Sequence, residues 1–319
     1  MKLIIAFISL VIAINAATDE DLWIEFKGKY AKTYRSLREE KIRFDVFKQN
    51  LREIESHNAR YENGEVSYFL RINQFADITN KEFADRHAKN LKIKPEYLQT
   101  PFNKDMNVPV PESINWYEKG VVTPVKNQGE ECGSCWAFST VGCLESHYLL
   151  KYNKSLSLSE QQLVDCSKSN YGCNGGIMDE AFLYIKQNGI GSESDYPYRG
   201  IDGECKKVET VATVRGVVMF RGTEDDLKYA VATIGPISVA VRTTFWQLYG
   251  GGIFDHPECN SLYYNHAVLV VGYGSENGTD YWLIKNSYGP SFGENGYIRL
   301  VRNKSQCAIN RYMVYPILY

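Results

Sequence analysis

Cys132-Gly-Ser-Cys135-Trp136-Ala137-Phe138 puts a cysteine where thiol chemistry is feasible. Gly133 and Ser134 make a turn, and the apolar stretch from Trp136 to Leu150 reads as a buried helix that starts there. The positive end of a helix macrodipole favours thiolate over thiol. The thiolate is the nucleophile, so position alone makes Cys135 a candidate catalyst. The rival reading of Cys132-x-x-Cys135 is a redox pair or half of a zinc site. No strand leads into the motif and no second pair has ligand spacing, which disfavours both and leaves no metal site.

A cysteine nucleophile needs a base, and the chain has five histidines. His57 and His87 lie well before the cysteine-bearing half. His147 is twelve residues along the same helix, about 18 Å away at 1.5 Å per residue, and out of reach. His256 sits in a loop beside Cys259. His266 opens the run Ala267-Val-Leu-Val-Val271 and places an imidazole at the mouth of a buried strand, so it is the base by elimination. A histidine base needs a third group to fix its tautomer and orientation. Asn286 ends the next β-type run, and two adjacent antiparallel strands bring it beside His266. Gln128, just before the cysteine, can donate its side-chain amide to an oxyanion, with the Cys135 backbone N–H as second donor.

The rest of the chain must position these groups. Its 319 residues suffice for two ordinary domains, and 44% hydrophobic with 23% charged residues is the profile of a globular protein. A net charge of −2 excludes nucleic-acid binding by a basic face. Met1-Lys2, the apolar run Leu3 to Ile14 and Asn15-Ala16-Ala17 have the layout of a secretory signal peptide over residues 1–16. The run is shorter than the ~20 residues that span a membrane. Eight cysteines in a secreted chain imply disulfides, and sequons at Asn153, Asn277 and Asn303 fit the same compartment.

Leu22, Phe26, Tyr30 and Tyr34 recur every four residues and predict a first helix. Glu39, Arg43, Phe47, Asn50, Ile54 and Asn58 follow at intervals of 4, 4, 3, 4 and 4, one stripe of a long helix. A stripe with Glu, Arg and two Asn among its apolar residues must pack against something specific. Tyr68 to Asn73 reads as a short strand, and residues 90–111, with four prolines, as a linker. All eight cysteines follow that linker. Residues 17–109 hold 17 basic and 16 acidic groups, residues 110–319 hold 18 and 22. A cysteine-free helical segment before a cysteine-rich domain fits a removable pro-region, 17–109, ahead of a mature domain, 110–319.

Within 110–319 the signals up to about 190 are helical. They include a capping box at Ser159-Glu-Gln-Gln162 and a helix Met178–Gln187 stopped by Asn188-Gly189. Thereafter β-type runs dominate at Ile237–Val241, Ala267–Tyr273, Tyr281–Lys285 and Tyr297–Val301. One short helix, opened by Thr223, interrupts them. The fold class is α+β, with a helical half, a sheet half and a cleft between.

These motifs together resemble the papain-like cysteine peptidases, and within them the cathepsin L group. His266 and Asn286 follow Cys135 by 131 and 151 residues, and Cys132-Gly-Ser-Cys135-Trp136 has the family's form. The Glu39 to Asn58 stripe matches the family's ERFNIN propeptide pattern, and Asn73, Phe75 and Asp77 its second motif. Val122–Gln128, Gly172–Gly176, His266–Gly274 and Lys285–Ser287 match as well. The resemblance implies a two-subdomain fold, a helical left half and a β-barrel-like right half, behind an inhibitory helical propeptide. It implies a cysteine endopeptidase with Cys135 as nucleophile, His266 as base and acid, Asn286 as orienting group and Gln128 in the oxyanion hole. It implies disulfides Cys132–Cys173, Cys166–Cys205 and Cys259–Cys307, leaving Cys143 a buried thiol. Gly175 and Gly176 line the cleft, Asn265 offers its carbonyl to substrate, and Tyr288 covers the His–Asn pair. Ile177, Met178, Ala240, Ala267 and Tyr312 form the S2 pocket. Tyr312 makes that pocket shallow, so a hydrophobic P2 residue, Val or Leu over Phe, is expected. Implied partners are protein or peptide substrates, the chain's own propeptide and cystatin-type inhibitors. A secreted or lysosomal monomer without cofactor is expected.

The chain departs from the family in four places. Tyr288 and Phe292 stand where tryptophans are usual, Arg71 where glycine is, and Asn265 where relatives often have Asp. Six residues, not five, separate Gln128 from Cys135. The extra one must bulge out or displace Gln128, and it brings Glu130 and Glu131 towards an anionic site. The Gln128 loop and Tyr288 motivate the alternative of a papain-fold protein of low or no activity that binds peptides or partners.

Overall fold

The computed structural model describes residues 17–87, 91, 102, 104, 105, 107–259 and 264–319. The signal-peptide segment and most of the proline-rich linker lie outside the described residues. Helix α1 (Asp19–Lys29) opens with a full capping box between Thr18 and Asp21. It is shorter than the four-residue spacing predicts. Tyr30 leaves the helical region and Ala31 turns left-handed at φ 49°, so Tyr34 lies beyond the helix and donates to Asp77 at 2.9 Å. Trp23, not Leu22, is the buried partner of Phe26.

Helix α2 (Leu37–Glu62) carries the polar stripe, and the structure explains it. Phe47 is fully buried. Asn50 donates to the carbonyls of Ala76 and Ile78 at 2.7 and 3.0 Å. Asn58 exchanges two hydrogen bonds with the Leu70 backbone, and Arg43 pairs with Glu82 at 2.8 Å. The stripe thus binds the backbone of residues 70–78 and supplies donors to its carbonyls, with Gln247 as a second donor to Ile78 at 2.7 Å. Strand β1 (Tyr68–Leu70) and helix α3 (Asn80–His87) complete this unit.

The second half contributes strands β2 (Ile114–Asn115), β3 (Gly216–Phe220), β4 (Ile237–Val241), β5 (Tyr249–Phe254), β6 (His266–Glu276), β7 (Thr279–Lys285), β8 (Tyr297–Val301) and β9 (Met313–Ile317). The sheet order is β1-β5-β8-β7-β6-β4-β9-β3, with β2 on β6. Strand β1 pairs antiparallel with β5, Tyr68 opposite Gly252, so the N-terminal unit adds an edge strand to the sheet of the second half. Three consecutive glycines make β5 unreadable as a strand from sequence. They are needed there, because a Cβ at Gly250 or Gly251 would stand 2.8 Å from the Phe69 ring.

Of helices α4 (Cys135–Tyr152), α5 (Glu160–Cys166), α6 (Met178–Asn188) and α7 (Glu224–Thr233), α4, α6 and α7 pack on the sheet and α5 packs on α4. Helix α4 is buried from Cys135 to His147 and packs on β6 and α6. The expected capping box at α5 is only half formed. Ser159 accepts from the Gln162 N–H at 2.9 Å, but the Gln162 side chain accepts from Gly191 instead. Gly189 ends α6 at φ 72°, where an L side chain is strained. The three implied disulfides are all present, with Cα–Cα distances of 4.4, 4.8 and 4.7 Å. Cys143 is buried and donates to the Pro236 carbonyl at 3.3 Å. Among the described residues no helix is long and apolar enough to cross a membrane.

Candidate active site

Cys135 is the first residue of α4, His266 the first of β6, and Asn286 follows the last residue of β7. Strands β6 and β7 are antiparallel with Leu269 opposite Lys285, which brings the two side chains together as expected. His266 Nε2 lies 2.8 Å from Asn286 Oδ1. The same Oδ1 accepts from the Ser287 N–H at 2.8 Å, which fixes it as the amide oxygen. The imidazole proton therefore sits on Nε2, and Nδ1 is left to take a proton. The Ala267 N–H, next to His266, reaches the Cys135 sulfur and ties the thiol to the start of β6.

Burial and the helix terminus act on the Cys135 thiol in opposite directions. Burial pushes the Cys135 thiol up to about 11, against the N–H groups of Ala267, Trp136 and Cys135, which favour the anion. Only 2% of Cys135 is exposed. The N-terminal unit packs against the edge of this site. Leu91 belongs to the same apolar cluster as Cys135, Met178, Ala240, Ala267 and Tyr312. Phe75 and Phe83 meet the Tyr288 ring edge-on at 5.4 and 6.0 Å, and Gln74 donates to the Tyr288 carbonyl at 2.6 Å. Tyr288 in turn lies 4.8 Å from the His266 ring.

Gln128 is wholly buried. Its backbone N–H donates to Ser287 at 2.9 Å, and its Oε1 accepts from Ser287 Oγ at 2.7 Å. Its Nε2 donates to the Cys132 carbonyl at 3.1 Å, which occupies one of two amide hydrogens. The extra residue is absorbed beyond it, where Gly129 takes φ 78° and Glu131 points outward. Gln128 is anchored and the loop bulges. Neither added carboxylate lies bare. Glu130 pairs with Lys32 at 2.8 Å and Arg86 at 3.5 Å, and Arg86 lies 3.7 Å from Glu131.

The other expected residues have the following local settings. Gly175 turns at φ 109°, and a Cβ on Gly176 would stand 2.7 Å from the Trp136 ring. Ile177 and Met178 begin α6, Ala240 lies opposite Ala267 across β4 and β6, and all are buried. Asn265 Oδ1 accepts from the Thr243 N–H at 3.0 Å, which holds the residue before His266. The Tyr312 hydroxyl donates to Asp179. Sequence reasoning missed Asp179, and it missed Tyr198. Ser134 Oγ donates to the Tyr198 hydroxyl at 2.6 Å, which donates to the Gln128 carbonyl at 2.7 Å. Tyr198 thereby clamps both ends of the loop ahead of Cys135. No local sequence signal marks either residue.

The papain family cysteine protease model matches residues 110–317, and the cathepsin propeptide inhibitor domain model matches residues 23–83. A cathepsin L-like proteinase of Phaedon cochleariae is 50% identical over 325 residues, covering 100% of both chains. Rat procathepsin L is 45% identical, over 93% of this chain and 91% of that one. The structure of digestive procathepsin L 3 from the Tenebrio molitor larval midgut superposes with a TM-score of 0.87 at 41% identity, covering 95% of this chain and all of that one, 100%. The chain belongs to the papain family of cysteine proteases and is the propeptide-bearing zymogen of a cysteine endopeptidase.

Proposed function

We propose that Cys135 attacks the peptide carbonyl while His266 takes its proton at Nδ1 and later gives it to the leaving amine. Asn286 holds the imidazole, and Gln128 with the Cys135 N–H binds the oxyanion. Water then hydrolyses the acyl-enzyme. The reading rests on one observation, the 2.8 Å bond from His266 Nε2 to Asn286 Oδ1 beside a cysteine at a helix N-terminus. Residues 17–109 are the inhibitory propeptide, and cleavage near Val110 frees residues 110–319. The protein works as a monomer in a lysosomal or secreted compartment after removal of residues 1–16, and cystatin-type proteins inhibit it.

Ile177, Met178, Ala240, Ala267 and Tyr312 form the S2 pocket in this reading, with Tyr312 fixed by Asp179. The pocket takes Val or Leu. A P2 scan with the activated enzyme is expected to give best turnover with these two, and best turnover with Phe or Arg would contradict it. Tyr312→Ala deepens the pocket and is expected to raise turnover of Phe relative to Val by roughly tenfold.

Activation occurs at acid pH. His57 of the propeptide and His256 of the peptidase half line one cavity with Tyr68 and Phe245. Burial lowers the pKa of both. For His57 the Tyr68 carbonyl opposes the shift. For His256, Glu258 and Asp255 oppose it, while His57 and Arg242 add to it. Both imidazoles bind fewer protons docked than released. Docking is therefore favoured above about pH 6.5 and weakens as pH falls through that value towards their lowered pKa. The rate of propeptide loss is expected to rise as pH drops from 7 to 5. His57→Gln is expected to flatten that profile, and an unchanged profile would remove this pair from the mechanism.

A further inference from the structure

The loop that makes this chain longer than its family between Gln128 and Cys135 is occupied in the zymogen. The Lys32 ammonium, its side chain 12% exposed, sits 2.8 Å from Glu130 and 3.2 Å from Asp77. The Arg86 guanidinium spans Glu130 and Glu131 at 3.5 and 3.7 Å. Among the described residues, every ion-pair partner of Glu130 and Glu131 belongs to the propeptide. Two cations on separate propeptide segments, before α2 and at the end of α3, converge on one pair of carboxylates. Propeptide removal takes both cations away and leaves the carboxylates in place, because Tyr198 and the Cys132–Cys173 disulfide hold the loop.

The loop also has a definite place relative to the chemistry. His266 protonates the leaving amine, so the part of a substrate after the scissile bond lies on the side of His266 and Tyr288. The part before it lies towards Met178, Ala240 and Tyr312. The loop leaves from Asn127, which bridges to Tyr288, and Gly289 N–H donates to Lys126 at 3.1 Å. Glu130 and Glu131 therefore stand on the leaving-group side.

We propose that in the activated enzyme Glu130 and Glu131 form a cation-binding subsite that selects substrates carrying Lys or Arg within a few residues after the scissile bond. Lys32 and Arg86 fill this subsite in the zymogen. The inference rests on the peptidase reading above.

The test uses full-length protein activated by acid and counted by epoxide titration. Its substrates are internally quenched peptides with Val at P2 and Lys, Gln or Glu at the first, second or third position after the scissile bond. An exposed ion pair gives about two- to fivefold each. At least fivefold higher kcat/KM for Lys than for Glu is expected at one position in low salt. The ratio is expected to fall below twofold in Glu130→Gln/Glu131→Gln enzyme. In the parent enzyme at 0.5 M salt, which needs no variant, it is expected to fall similarly, since screening is strong at roughly that ionic strength. Robust turnover with no charge preference, or a preference untouched by the substitutions and by salt, overturns the subsite alone. No turnover of any peptide and no labelling of Cys135 overturns the peptidase reading and the subsite with it.

Discussion

Cys135→Ala is expected to lower kcat roughly 10⁵- to 10⁶-fold while the protein still folds and still binds its propeptide. Alanine removes the sulfur and nothing else at the N-terminus of α4. Ser134, Trp136 and the Cys132–Cys173 disulfide are untouched, and the helix is buried through His147. His266 stays held by Asn286 at 2.8 Å, so the variant retains an oriented base with no nucleophile to serve. No second thiol can substitute, because Cys143 lies two turns along the same helix and is buried against Pro236. Turnover of a Val-at-P2 peptide after processing with parent enzyme checks this. Activity within tenfold of the parent would show that the chemistry lies elsewhere.

Gln128→Ala is the second large effect, an expected loss of roughly 10²- to 10³-fold in kcat with little change in KM. The six-residue spacing puts Gln128 at risk of displacement, and the anchoring seen here argues against that. Ser287 binds it through backbone and side chain, at 2.9 and 2.7 Å, and the chain turns away after it at Gly129, φ 78°. One amide hydrogen goes to Cys132 and the other is available to an oxyanion. Steady-state kinetics on the activated variant decide the matter. A loss below threefold would mean that the bulged loop has taken Gln128 out of the oxyanion hole.

The sequence made the catalytic constellation legible because its parts sit at element boundaries that carry their own signals. A turn followed by an apolar run places Cys135, and two successive β-runs place His266 and Asn286. The polar stripe of α2 was legible as a stripe, but its purpose was not, since Asn50 and Asn58 bind backbone carbonyls around residues 70–78. What escaped depends on long-range approach. Glycines 250 and 251 leave the room that the Phe69 ring of the propeptide occupies, a contact 181 residues apart in the chain that no local pattern announces. Asp179 matters because Tyr312, 133 residues later, donates to it. Glu130 reads as a liability beside a thiolate until Lys32, 98 residues earlier, is seen to neutralise it. At Cys135 the helix terminus and the N–H groups of Ala267 and Trp136 favour the anion, while burial pushes the thiol up to about 11. Removing the cover readmits water and takes away that penalty.

The central claim is that one thiol, latent under the propeptide, becomes the nucleophile on activation. Mass spectrometry of the chain treated with a papain-directed epoxide, before and after acid activation, tests it most directly. A single adduct on Cys135 is expected after activation, with loss of activity in proportion to labelling. At least tenfold slower labelling of the intact zymogen is expected, and none on Cys143. Equal labelling rates before and after activation, or full inactivation with Cys135 unmodified, would contradict it.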